Sequence, residues 1–295
     1  IVLTTLLVVL LSFSDMDFFD ALCYGMSTMS TGGFATSDQS LAEFNTVYVK
    51  IVFIIFMFLG GVNLSLIFHA FMGKTLRLFR NTVFKAYCWI VLAGYLCLTA
   101  DVIIQGKYQS ILDVTVNPLF QTVSMISSTG IATPGLTTWG PLAIVAILIM
   151  MFMGACAGST SGGAKIDRFI VLSRFIKNEF HKIMHPSAVT TVILNGKGTS
   201  PGLIYKTLAF LVLYMLVILV CGTVAALTGL PLGDSMFCAL QSIANTGMGT
   251  PMTGISGDYS TIADLAKWSF AFTMLIGRLE IFTVLLVFTP DFWRR

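Results

Sequence analysis

Three short strings carry residue types from which an ion path can be built. Ser30-Thr31-Gly32-Gly33-Phe34-Ala35-Thr36, Ser127-Ser128-Thr129-Gly130-Ile131-Ala132-Thr133 and Ala244-Asn245-Thr246-Gly247-Met248-Gly249-Thr250 align without gaps, with Gly33, Gly130 and Gly247 in register and Thr36, Thr133 and Thr250 after them. Glycine adopts backbone conformations that a Cβ forbids. The carbonyls of Thr31-Gly32-Gly33, Ser128-Thr129-Gly130 and Asn245-Thr246-Gly247 can therefore turn toward one axis. Carbonyl oxygens converging in that way replace a cation's hydration shell, a chemistry that suits potassium, which is large and weakly hydrated. One Gly-Thr string is an ordinary helix-ending loop, whereas three in register form an internal repeat.

A second constellation lies in Gly154-Ala155-Cys156-Ala157-Gly158-Ser159-Thr160-Ser161-Gly162-Gly163-Ala164-Lys165, which interrupts an apolar stretch. So many Gly and Ser residues unwind a span and expose main-chain groups that need water or protein partners. A loop of this kind beneath the three strings is expected to obstruct permeation, with Gly154, Ala157, Gly158, Ser159, Thr160, Gly162, Gly163 and Lys165 as its gating residues. A phosphate-binding P-loop is one rival, but Gly163 and Ala164 stand where GxxxxGK[ST] requires Lys and Ser/Thr, and a plain flexible linker is the other. Arg278 sits inside the last apolar stretch, where an arginine needs a cavity or a partner. Its donors are suited to the free carbonyls of the interrupted segment, and its charge opposes a passing cation. Glu280 is two residues away, a spacing that does not place the two on one helix face. Neither a nucleophile–base set nor a CxxC or His cluster at ligand spacing accompanies these residues, so an enzyme is not expected.

The elements that must hold these residues are membrane helices. Of 295 residues, 56% are hydrophobic and 11% charged, against about 25% charged in soluble domains. The net charge of +3 is too small and dispersed for nucleic acid. The six cysteines are read as small buried hydrophobes. Stretches 48–72, 84–105, 142–157, 203–228 and 262–288 are long enough to cross a bilayer, which takes roughly 20 apolar residues. Shorter segments at 18–29, 118–126 and 235–244 are re-entrant half-helices that end at the three strings. Asp20, Asn117 and Asp234 stand at one distance upstream of the aligned glycines and are expected to cap these half-helices, with Pro118 in the first helical position. A half-helix aims its partially negative C-terminus at the interior, where it stabilises a cation.

The fold class is therefore all-α and membrane-embedded, a helix, pore loop, helix unit repeated over 1–75, 76–190 and 191–295. Lys74, Arg77, Arg80, Lys85, Lys165, Arg168, Arg174, Lys177, Lys182, Lys197, Lys206, Arg294 and Arg295 fall on one side, expected to be cytoplasmic. The other side carries Asp15, Asp17, Asp20, Asp38, Glu43, Asp101, Asp113, Asp234, Asp258 and Asp264 against Lys50, Lys107 and Lys267, which would concentrate cations at a mouth. The chain starts without Met inside an apolar run, 1–13, too short to span, and a truncated N-terminus is expected.

With these motifs the chain resembles the Trk/Ktr/HKT superfamily of potassium transporters, and is most similar to its bacterial TrkH branch. The resemblance covers nearly the whole chain and is carried by Gly154-Ala155-Cys156-Ala157-Gly158-Ser159-Thr160, His185-Pro186-Ser187-Ala188-Val189, Gly277-Arg278-Leu279-Glu280-Ile281-Phe282-Thr283 and Phe288-Thr289-Pro290-Asp291-Phe292-Trp293. It implies four pore-loop repeats around one potassium path in the bacterial inner membrane, with Gly33, Gly130 and Gly247 in the second, third and fourth and the first repeat absent. It also implies an intramembrane gating loop held by Arg278, a homodimer, and a cytoplasmic nucleotide-binding regulatory subunit of the TrkA type. Single glycines in place of a TVGYG-type string imply looser selectivity. Passive inward movement of potassium is the expected activity, with sodium- or proton-coupled symport as the alternative and a non-conducting assembly or receptor subunit as a further rival class.

Overall fold

The computed structural model describes residues 1–37, 44, 46–106, 110–131, 139–188, 191–247, 259 and 262–294. Asp38, Glu43, Lys107, Thr133, Thr250, Asp258 and Arg295, to which the sequence assigns a side or a register, lie outside these residues. The helices are α1 (Val2–Ser12), α2 (Phe18–Met29), α3 (Val47–Gly61), α4 (Leu64–Phe71), α5 (Thr75–Arg80), α6 (Thr82–Gln105), α7 (Ile111–Ile126), α8 (Pro141–Met153) and α9 (Ile166–Met184). A two-stranded antiparallel hairpin follows, β1 (Ile193–Leu194) and β2 (Lys197–Gly198), then α10 (Pro201–Leu227), α11 (Leu232–Ala244), α12 (Asp264–Leu279), α13 (Ile281–Val287) and α14 (Pro290–Trp293).

By length and apolarity α6 and α10 each suffice to cross a membrane. The expected continuous spans 48–72 and 262–288 are instead broken, α3 turning by 108° into α4 and α12 by 111° into α13. Asn63 explains the first break: its Oδ1 accepts from Ser65 N (2.9 Å) and Leu66 N (3.3 Å) and so starts a new helix. At the second, Glu280 takes a left-handed φ of 65° that no α-helix continues through. The stretch 142–157 stops as a helix at Met153, where Gly154 has φ 65°. After the loop, α9 is a basic amphipathic helix that runs to Met184.

The half-helices α2, α7 and α11 are present, with starts that differ from expectation. Asp17 and Pro231 stand at the N-caps of α2 and α11, so Asp20 and Asp234 fall in the first turn, where a carboxylate still favours the positive helix end. Asn117 is no cap and Pro118 no first position: α7 begins about two turns earlier, at Ile111, with Pro118 inside it. The Asn117 Oδ1 accepts instead from buried Lys50 Nζ at 2.8 Å, which ties α7 to α3.

Two apolar cores carry the half-helices. One packs α1, α2, α3, α6, α7 and α8 around Tyr24, Phe53, Met57 and Phe120. The other packs α10, α11 and α12 around Phe210, Tyr214, Phe237's neighbour Cys238 and Phe270, and Leu148 and Phe152 of α8 reach it. The outer faces of α6 and α10 expose Trp89, Leu96, Ile104, Val212, Leu219 and Val220, as helices bordered by lipid do.

Candidate functional site

The three strings end their half-helices in one backbone conformation. Thr31, Ser128 and Asn245 are left-handed at φ 53°, 55° and 55°, and two residues later Gly33, Gly130 and Gly247 are left-handed at 72°, 76° and 68°. At the first left-handed residue the N–H donates three residues back, to Thr28 O, Met125 O and Ser242 O. The next N–H donates five residues back, from Gly32 to Ser27 O (2.7 Å), Thr129 to Ser124 O (3.0 Å) and Thr246 to Gln241 O (3.1 Å). This paired pattern is a Schellman helix end, whose left-handed position is usually glycine. Here it is filled by three non-glycine residues, a feature that the aligned glycines alone do not reveal.

The strings lie edge to edge. A Cβ built on Gly33 would come 1.9 Å from Thr129 O, and one on Gly130 would come 1.6 Å from Thr246 O. Only hydrogen at these positions lets each string touch the next main chain. Around Gly247 nothing among the described residues comes within 4 Å of such an atom. Thr31, Ser128, Thr129 and Thr246 are buried. Yet among the described residues no donor is bonded to any main-chain oxygen of Thr31-Gly32-Gly33, Ser128-Thr129-Gly130 or Asn245-Thr246-Gly247. Buried carbonyls are nearly always paired, so the free oxygens of the four buried residues, at three helix C-termini, are chemically suited to a cation.

Beneath the strings, residues 154–165 form a non-helical loop between α8 and α9. Its outer edge hangs from the α3–α4 break: Cys156 N donates to Gly61 O (3.1 Å), Asn63 Nδ2 to Ala157 O (2.6 Å), and Leu64 N to Gly158 O (3.0 Å). Ser159 Oγ donates to Cys156 O and meets Ser161 Oγ at 2.9 Å, which folds the loop on itself. Gly162 packs so closely under α11 that a Cβ there would sit 2.1 Å from Ala244 O. Gly154 and Gly163, at φ 65° and 78°, pass against each other, and Lys165 Nζ donates to Ser161 O.

Thr160 is where loop, string and last helix meet. Its carbonyl accepts from Thr31 Oγ1 (2.8 Å) and from Arg278 Nη1 (3.0 Å), while Arg278 Nη2 donates to Ser30 O (2.9 Å). Arg278 thus joins the loop to the end of α2: the Thr160 carbonyl belongs to the interrupted segment expected to hold it, whereas the Ser30 carbonyl is a partner that the sequence did not suggest. Glu280 does not pair with it: it meets Arg168 Nη2 at 3.2 Å, across the start of α9. Arg168 also donates to Ala164 O (3.1 Å) and lies 3.6 Å over the Phe210 ring, and Asp167 Oδ1 accepts from Ala157 N (3.0 Å). These side chains and the loop enclose a cavity of about 390 Å³ lined by Thr160, Lys165, Arg168, Arg278 and Glu280. Asn63, Asp167 and Arg168 escape a sequence reading because each acts across an element boundary. The signal available for Asn63 was its helix-capping type between Gly60-Gly61 and an apolar run.

Known proteins resemble the chain over its whole length. The family model described as TrkH, cation transport protein, matches residues 2–92 and 101–295. The chain is 30% identical over all 295 residues to the Trk system potassium uptake protein TrkH of Escherichia coli K12, covering 61% of that protein. It is 31% identical over 282 residues to TrkG of the same organism, covering 95% of this chain and 58% of TrkG. It therefore spans about three fifths of the length of the curated relatives it matches. The crystal structure of the potassium transporter TrkH from Vibrio parahaemolyticus superposes with a TM-score of 0.91 at 30% identity, over 99% of this chain and 63% of that one. By motif, backbone and fold alike, the chain belongs to the TrkH family of cation transport proteins.

Proposed function

We propose that the protein takes up potassium across the bacterial inner membrane, inward and down its electrochemical gradient. The ion passes the oxygens of Thr31-Gly32-Gly33, Ser128-Thr129-Gly130 and Asn245-Thr246-Gly247. One observation carries this reading: three strings share a backbone pattern, lie against one another, and leave their main-chain oxygens without donors among the described residues. Relatives named for potassium uptake support the choice of ion. Residues 1–75, 76–190 and 191–295 act as successive pore-loop units in this reading. The loop 154–165 is the gate, closed by Arg278 and Thr31 through the Thr160 carbonyl. A second copy of the chain and a TrkA-type cytoplasmic regulatory subunit are the proposed partners. The resemblance supports both, and the basic surface of α9 offers the second a face.

The experiment is rubidium flux in liposomes carrying the full gene product. Arg278→Ala is expected to raise flux severalfold, since it removes both clasping bonds and a positive charge from the cavity. Unchanged flux would take Arg278 out of the gate. Accumulation driven by an imposed sodium or proton gradient would replace passive uptake with coupled symport.

A further inference from the structure

We propose that α4 and α5 form a binding site for the headgroups of anionic phospholipids, and that its occupancy is transmitted to the loop 154–165 through Asn63. The second half rests on the gating role given to that loop above. Residues 44–100 contain no Asp or Glu, while Lys74, Arg77, Arg80 and Lys85 cluster at their centre. Among the described residues none of these four bases has a carboxylate partner. The surface that carries them is also greasy. The 108° bend turns α4 sideways from α3, and Phe68, Phe71, Met72, Leu76 and Phe79 project from α4, α5 and the turn between them, each more than half exposed. On α5 Leu78 packs against the core, and the largely exposed Phe79 touches it through an edge-on contact with the Phe84 ring at 6.0 Å.

A short segment with outward aromatic side chains interleaved with unpaired bases suits the interface plane of a bilayer, where rings enter the acyl boundary and bases meet phosphate. A soluble anionic partner would satisfy the bases but leave the rings in water. Nucleic acid has the same defect. Lipid satisfies both halves of the surface at once.

The link to the loop is short. Asn63 caps α4 with its Oδ1 and grips Ala157 O with its Nδ2, and the first N–H of α4 donates to Gly158 O. Any shift of α4 in the interface therefore displaces two loop carbonyls, two and three residues before the Thr160 carbonyl that Arg278 holds.

The test has a binding arm that needs no transport. Native mass spectrometry of the detergent-purified gene product should retain phosphatidylglycerol in preference to phosphatidylcholine, and free inorganic phosphate should not displace it. Neutralising Lys74→Gln, Arg77→Gln and Arg80→Gln should weaken retention about fivefold per base. Arg77→Lys with Arg80→Lys should preserve it, and Phe71→Ser with Phe79→Ser should reduce it at unchanged charge. In liposomes, rubidium flux should vary with the phosphatidylglycerol fraction, and Asn63→Ala, which leaves only the Leu64 N–Gly158 O link, should weaken that variation while lipid retention persists. Equal retention of the two lipids, or retention unaffected by neutralisation, overturns the site. Displacement by phosphate would make it a soluble-anion site instead, and loss of a soluble protein partner with lipid retention intact would make it a protein-docking face. Lipid-dependent flux undiminished by Asn63→Ala overturns the coupling. An absence of any rubidium flux beside normal lipid retention would count against the transport reading and not against the site.

Discussion

Thr31, Ser128 and Asn245 occupy a left-handed position where glycine would sit with less strain, roughly 1–2 kcal/mol for an L side chain. For Thr31 the side chain supplies a reason: its single hydroxyl proton has Thr160 O (2.8 Å) as one of two carbonyl acceptors within reach, Ser30 O being the other, and the bond to Thr160 ties string to loop. Thr31→Ala is expected to raise rubidium flux, and Thr31→Ser, which keeps the hydroxyl, to leave it near the parent level. The glycines differ among themselves in a way that stability measurements can read. Gly130→Ala drives a methyl into Thr246 O and should lower the thermal unfolding temperature in detergent clearly, by an overpacking term of about 1–3 kcal/mol. Gly247→Ala meets no described neighbour and should show backbone strain alone, so its loss should be the smaller of the two.

At the scale of elements, the breaks in α3–α4, α8–α9 and α12–α13 expose main-chain groups that then hold one another. The α3–α4 break holds the loop by main-chain and side-chain bonds, and the α12–α13 break supplies Arg278 on one side and Glu280 on the other. Close packing rather than ion pairing keeps the loop under α11. Gly162→Ala, with 2.1 Å to Ala244 O, should destabilise the fold and shift the loop, whereas Glu280→Gln removes a pair whose acid is 57% exposed and should change stability by less than about 1 kcal/mol. Thermal unfolding of the two variants side by side checks this order. Equal losses would mean that the ion pair, and not the packing, holds the loop.

For the whole molecule, the proposed topology puts the bases of the α4–α5 region and α9 on the cytoplasmic side and the acidic approach to α2 on the other, as charge sorting across a bilayer would arrange them. Lys182→Cys should react with a membrane-impermeant maleimide from the cytoplasmic face alone and Asp15→Cys from the opposite face alone, measured above the background of the six native thiols, which are half-buried or buried. Labelling of both from one side would invert or dismantle the proposed path. The strings Thr31-Gly32-Gly33, Ser128-Thr129-Gly130 and Asn245-Thr246-Gly247 come from distant parts of the chain and meet because each ends a half-helix built into a core shared with its neighbours.

Composition, hydrophobic runs and the internal repeat were enough to read an all-helical membrane protein, the half-helix at 18–29 though not its cap, and the glycines at which strings could pack, because these depend on local residue type and on the apolarity a bilayer demands. They did not reveal the longer α7, since Asn117 bonds Lys50 on another helix rather than capping its own. Nor did they reveal the bends at Asn63 and Glu280, because a broken helix in an apolar stretch keeps the hydropathy of a whole one. Which carbonyl Arg278 would hold, and that Arg168 would take Glu280, depended on how three interrupted helices cross. Contacts over more than a hundred residues are chosen by packing, and local pattern carries no record of them.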